Sequence, residues 1–246
     1  MSSHPVSDRL ADPAVSSDPS PPSDSAGDRR RTKERLLDAA ERQFGERGFE
    51  GASMRAITRS AGTSVSAANY HFGSKESLLR AVIQRRLEPV NRHRLRSLEQ
   101  VLGRADQEGR AVTVEEVLEA FLRPSFEYRA TSDEARRAVR QVAARLFADP
   151  PELVAVLKRE LFHDLVDRFL SALGRALPDQ SRDDLALSFQ FTVGLMVHVM
   201  AGHLDDAPAL GEGDEGAGVA LSEEEILVRM IAYAAAGLRS PQGVTR

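Results

Sequence analysis

The 246-residue sequence contains no cysteine and no tryptophan. Without cysteine there can be no disulfide and no thiolate metal site, and a reducing cytoplasm fits. The six histidines show no H-E-x-x-H or related ligand spacing, so no metal is expected. Nucleotide and nucleophile signatures are also missing: there is no P-loop, no G-x-G-x-x-G and no G-x-S-x-G elbow. Carboxylate pairs such as Asp183-Asp184 and Asp205-Asp206 fall where helix capping and solvation explain them. Together these absences argue against an enzyme and against a bound cofactor. The longest apolar run, Phe189 to Ala201, is too short for a bilayer and is interrupted by Gln190 and His198. The serine- and proline-rich start has no apolar core of the kind a secretory signal needs. No alternating period-two run of useful length occurs, which leaves little room for a sheet.

Charge of one sign is scarce only in places. The net charge of -4 hides three blocks. Residues 1–28 carry one arginine against five aspartates, for -4. Residues 29–96 carry sixteen basic against seven acidic side chains, for +9. Residues 97–246 carry sixteen basic against twenty-five acidic side chains, for -9. A basic block joined to an acidic one suits a nucleic-acid-binding unit attached to a domain with another task.

Periodicity then divides the chain. Residues 1–28 hold five prolines and eight serines and too little apolar surface to offset ordering, so a disordered tail is expected. Leu36, Leu37, Ala40 and Phe44 mark an amphipathic helix that Gly48 should end. Ser53 opens a second helix with Ile57 and Ala61 inward, Gly62 supplies a tight turn, and Ser64 opens a third with Val65, Ala68 and Phe72 at i, i+3, i+7. Two short helices meeting at such a corner form a helix-turn-helix (residues 53–72), whose second helix can enter a major groove. From Ser74 a long helix follows, with a kink expected at Pro89.

Further helices announce their starts. Thr113-x-x-Glu116, Thr131-x-x-Glu134 and Ser222-x-x-Glu225 have the capping-box pattern, and Ser181-x-x-Asp184 has a similar one. Asp149-Pro150 should open another, and Pro124 should interrupt the helix begun at Thr113. The last two helices span Leu185 to Leu204 and Ile226 to Leu238. Between them the acidic, glycine-rich segment 205–220 reads as a loop. The expected fold is all-α: a three-helix head at 29–89, joined by a long helix to a bundle at 90–240.

The segment LLDAAERQFGERGFEGASMRAITRSAGTSVSAANYHFGSKESLL resembles the N-terminal DNA-binding domain of TetR-family transcriptional regulators. Its blocks AAERQF, RGFEGAS, AG and NYHFGSKESLL occur in the family's order and spacing. The resemblance implies groove-facing roles for Ser64, Val65, Ser66, Ala67 and Asn69. It implies phosphate-contacting roles for Arg55, Tyr70, His71 and Lys75. It further implies a homodimer on double-stranded DNA, formed through the last two helices, and a small apolar effector held by the middle helices. The stretches FQFTVGLMVHVMAGHL and MIAYAAAGLRS look similar to the fatty-acid-responsive PsrA-like subgroup. That likeness implies a fatty acid or acyl-CoA effector, with Arg140, Phe121, Gln190 and His198 as candidate ligand residues. Other apolar wall candidates are Leu118, Phe126, Leu146, Leu161, Phe169, Phe189, Phe191 and Met196, with His163 a further polar one. The reading is a ligand-responsive repressor. Its rival is a helical acyl-binding or scaffolding protein without sequence-specific DNA binding.

Overall fold

In the computed structural model, residues 26–130, 133, 137, 151–202 and 221–240 are described. Among the described residues these helices follow in order: α1 Ala26–Gly51, α2 Met54–Ser60, α3 Val65–Phe72, α4 Lys75–Gln107, α5 Val114–Ala130, α6 Pro151–Ala176, α7 Arg182–Met200 and α8 Glu223–Arg239. No strand occurs among the described residues, and the fold is all-α. The capping pattern at Thr131, the start at Asp149-Pro150, Arg140, Leu146, residues 1–25 and the segment 205–220 lie outside the described residues.

The head is built on α1. Leu36, Leu37, Ala40 and Phe44 form its buried stripe. Gly48 takes φ 71°, a left-handed conformation that interrupts regular helix before Gly51. That reversal returns Phe49 to the core, where its ring stacks on Phe44 at 6.2 Å between centroids. Ile57, Ala61, Ala68, Leu78, Leu79 and Ile83 close the same cluster from α2, α3 and α4. The helix begins at Ala26, ahead of the apolar stripe, so Arg29, Arg30 and Arg31 stand exposed on its first turns.

At 33 residues α4 is about 50 Å long and belongs to both cores. It runs unbroken through Pro89. Leu78 to Ile83 pack in the head, whereas Leu98 and Ala105 pack in the body. The body core centres on three rings, with Phe121 at 5.1 Å from Phe169 and 4.7 Å from Phe189. Around it, Val117, Leu118, Leu173, Leu185, Leu227 and Leu238 are all nearly inaccessible.

Two boundaries differ from expectation. Pro124 does not interrupt α5, which continues to Ala130. An interior proline leaves the preceding turn short of backbone donors. Here the carbonyl left without a donor is that of Ala120, and Ser125 and Phe126 beyond the proline are buried. Packing therefore outweighs the lost hydrogen bond. Helix α7 stops at Met200 instead of Leu204, because Gly202 adopts φ 84° and closes the end through its N–H to Val199 O at 3.0 Å. The capping boxes at Thr113 and Ser222 form reciprocally, each with its hydroxyl accepting the third amide and its glutamate accepting the cap amide. Arg110 holds the Glu116 carboxyl down at about 2, below the usual carboxylate range.

Candidate DNA interface and ligand cavity

Helix α3 is short and fixed at both ends. Ser64 accepts the Ala67 amide at 3.1 Å, and Gly73, at φ 76°, closes the C-terminus through its N–H to Asn69 O. Ala68 is fully buried against α1 and α2, which orients the helix by one small side chain. The rest of the helix surface is open: Ser64, Val65, Ser66, Asn69 and Tyr70 are exposed, and Ala67 is half-buried. Val65 is 37% exposed, so it belongs to the open face and not to the inward stripe that its spacing suggests. A helix whose open face is small and polar can approach base edges closely, and an asparagine amide can pair with adenine. Gly62, at φ 62°, and the α2 cap at Ser53 fix the preceding corner.

The residues expected at phosphates flank this face. Arg55 on α2 is exposed, and Tyr70 is 74% exposed. His71 is half-buried, its ring set edge-on to Tyr70 at 5.3 Å. Lys75 is placed differently from its neighbours. Its ammonium donates to Phe49 O at 3.0 Å and Ala52 O at 3.2 Å and lies 4.2 Å over the Phe49 ring. Two of its three donors thus tie the start of α4 to the α1–α2 link, and only the third remains for a phosphate. Lys75→Ala is accordingly expected to destabilise the DNA-free head by about 1–3 kcal/mol, measured by chemical denaturation. Arg55→Ala should leave that stability unchanged while reducing the salt-dependence slope of DNA binding by about one. An unchanged denaturation midpoint for Lys75→Ala would refute its structural role.

A cavity of about 310 Å³ lies in the body between α4, α5, α6 and α7. Leu87, Val90, Phe162, Val166, Val193 and Val197 supply apolar wall, with Phe121 and Met196 deeper in. Gln190 and His163 line it, as the sequence suggests. His198 does not: it lies on the exposed face of α7, away from the lining. Phe169 and Phe189 belong to the solid core, Leu161 packs on the head cluster, and Phe191 is 66% exposed. The sequence reading missed Arg86, Arg94, Tyr128 and Arg159, all of which line the cavity. A signal for Arg94 was available, since it follows Val90 and precedes Leu98 by one helical turn each, on the buried stripe of α4.

The described residues contain no group of three histidine or acidic side chains that could hold a metal. No described helix is long and apolar enough to cross a membrane.

Two family models match in sequence order. Residues 36–82 match the bacterial regulatory proteins of the tetR family, and residues 119–237 match the tetracyclin repressor-like C-terminal domain. Together they cover well over half of the chain. The chain belongs to the TetR family. It is therefore placed among transcriptional regulators with an N-terminal DNA-binding domain, and not among enzymes. Over 52 residues it is 46% identical to the HTH-type transcriptional regulator UidR of Escherichia coli (strain K12), a match to 21% of this chain and 26% of that protein. Over 58 residues it is 40% identical to the HTH-type transcriptional repressor AcnR of Corynebacterium glutamicum, covering 23% and 31% respectively. The match thus spans about a quarter to a third of these relatives' length. Across the fold it resembles a tetR-family regulatory protein from Rhodococcus RHA1, at TM-score 0.56 and 17% identity over 84% of this chain and 96% of that one. It also resembles the TetR-family regulator PfmR from Thermus thermophilus, at TM-score 0.52 and 20% identity over 85% and 99%.

Among the described residues of the body, large apolar side chains stand exposed on its last two helices. Leu187 and Phe191 are one turn apart on α7, 49% and 66% exposed. Val228 and Tyr233 on the adjacent α8 are 54% and 76% exposed. Gly194 and Gly237 lie on the same helices, and a side chain added at either would meet nothing within 4 Å.

Proposed function

We propose that this TetR-family chain is a sequence-specific repressor. It acts in the cytoplasm as a homodimer on a pseudo-palindromic operator and releases DNA when a small apolar effector occupies the α4–α7 cavity. The observation that carries this reading is the α3 surface: a polar, solvent-facing helix anchored by a fully buried Ala68. Ser64, Val65, Ser66, Ala67 and Asn69 choose the sequence, while Arg55, Tyr70, His71 and the remaining donor of Lys75 fix register on the backbone. The exposed Leu187–Phe191 and Val228–Tyr233 strips support isologous pairing of α7 and α8, which sets two α3 helices on successive major grooves. The apolar lining supports an effector of the fatty acid or acyl-CoA type, as the PsrA-like stretches suggest.

Selection of duplexes from a random library by the full chain tests the reading. The expected product is a two-fold-related motif with half-sites about one helical turn apart, or a multiple of it. Recovery of no motif would favour the acyl-binding or scaffolding alternative. Asn69→Ala should cost about 1–3 kcal/mol of discrimination at one base pair per half-site, read as relaxed preference in the same selection.

A further inference from the structure

Among the described residues of the cavity wall, Arg94 is a buried cation with no carboxylate partner. It is 3% exposed. Its Nε donates to Phe121 O at 2.8 Å, Nη1 to Asn91 Oδ1 at 2.9 Å, and Nη2 to Ser125 Oγ at 2.6 Å and Met196 Sδ at 3.0 Å. The guanidinium also stacks 4.2 Å over the Phe121 ring. Every one of these partners is neutral. A guanidinium has five N–H groups, so four acceptors leave it short, and one of the four is a thioether, a weak acceptor. Buried charges are ordinarily paired with an opposite charge. Burial alone acts here, pushing the guanidinium down to about 9.

Among the described residues no acidic side chain lines the cavity, whereas Arg86, Arg94, Arg159 and His163 do. Of these, Arg86 is already neutralised by Glu41 at 2.6 Å. Arg159 and His163 are exposed to solvent, so Arg94 carries the buried, unbalanced charge of a lining that is otherwise largely apolar. Met196 is the contact most easily given up, because its side chain is flexible and its sulfur binds the cation weakly.

We infer that the cavity takes a monoanionic amphiphile, an apolar chain ending in a carboxylate, and that Arg94 is the seat of the carboxylate. This rests on the reading of the cavity as the effector site and narrows it. One carboxylate matches one unpaired guanidinium in charge and in its planar, two-pronged geometry. It would displace the Met196 sulfur, while Leu87, Val90 and Val193 hold the chain. A thioester to coenzyme A lacks the carboxylate and is disfavoured. So is the uncharged alcohol of equal length, which would bury the chain and leave the cation unpaired.

The test uses the full chain with decanoate, 1-decanol and decanoyl-CoA, following melting temperature and binding by calorimetry. Decanoate should raise the melting temperature and bind about tenfold or more tighter than 1-decanol. Arg94→Met removes the hydrogen bonds to Phe121 O, Asn91 and Ser125 together with the charge, so the deciding readout in the folded variant is ligand preference and not melting temperature. The variant should bind 1-decanol as before and lose the preference for the acid. A residue with a purely structural role would leave the acid-to-alcohol ratio unchanged. Equal affinity for acid and alcohol in the parent overturns the inference while leaving an apolar effector cavity in place. Tightest binding of decanoyl-CoA also overturns it, as does binding of none of the three, which removes the effector reading too. If Arg94→Met does not fold, the acid-to-alcohol ratio of the unaltered protein decides alone.

Discussion

Phe191→Arg is expected to convert the protein into a monomer and to weaken operator binding by about a hundredfold or more. Phe191 is 66% exposed, on the outer face of a helix whose opposite face, Phe189, Thr192 and Met196, is buried in its own body. Leu187 lies one turn earlier, and Tyr233 and Val228 stand exposed on the neighbouring α8, so these apolar side chains face water in the single chain. Aromatic residues at the centre of an interface carry a disproportionate share of association energy. An arginine there places two like charges near the two-fold axis of an isologous contact, because each protomer contributes the same residue. Its side chain is solvated in the monomer, so folding should be unaffected. The loss in DNA binding follows from geometry: two linked α3 helices bind with a high effective concentration of the second, whereas one alone does not. Light scattering at micromolar concentration reads the mass, and a melting curve confirms that the monomer is folded. A dimeric mass for the folded variant would put the interface elsewhere.

Local chemistry was legible in the sequence because its causes are local. The caps at Ser53, Ser64, Ser74, Thr113, Ser181 and Ser222 each depend on a hydroxyl and an amide three residues on, and all form. The turns at Gly48 and Gly62 needed only the left-handed freedom of glycine. Features set by distant partners were not legible. Pro124 looked like a stop because nothing in sequence shows that Ser125 and Phe126 beyond it are buried in the body. Phe191 and Phe189 are both apolar, and α7 is apolar on most sides, so periodicity could not tell the wall of a cavity from the outer strip. His198 was misplaced for the same reason. Arg94 resembled the solvated arginines around it, and only its i+4 relation to Val90 and Leu98 betrayed burial. In the head, spacing gave Lys75 its place at the start of α4, but not that its ammonium turns back onto the carbonyls of Phe49 and Ala52.

Arg86→Met is expected to separate effector binding from DNA release. Arg86 sits where the two cores of α4 meet. Its Nε bonds Glu41 of α1 at 2.6 Å, and its guanidinium lines the cavity and bonds the Tyr128 side chain of α5. Burial disfavours its charge, but Glu41 and Tyr128 outweigh burial and raise its pKa above the ordinary arginine value. One side chain thus joins the effector wall to the helix that carries the head. A ligand that moves Arg86 must strain its bond to Glu41 or move α1 with it, and either outcome makes head orientation depend on cavity occupancy. In Arg86→Met the stem still packs, and Glu41 keeps Arg85 as a partner at 2.5 Å, so no carboxylate is stranded. Effector affinity should change little, because the apolar wall and Arg94 are intact. The factor by which effector lowers DNA affinity, of order 5–150 in coupled systems, should fall towards one. Linkage requires the reverse factor to fall equally, so titrating effector into the DNA complex and into the free protein must give converging affinities. Undiminished coupling in the variant would assign communication to another contact between head and body, of which the Arg80–Glu160 pair at 2.9 Å between α4 and α6 is the next to remove.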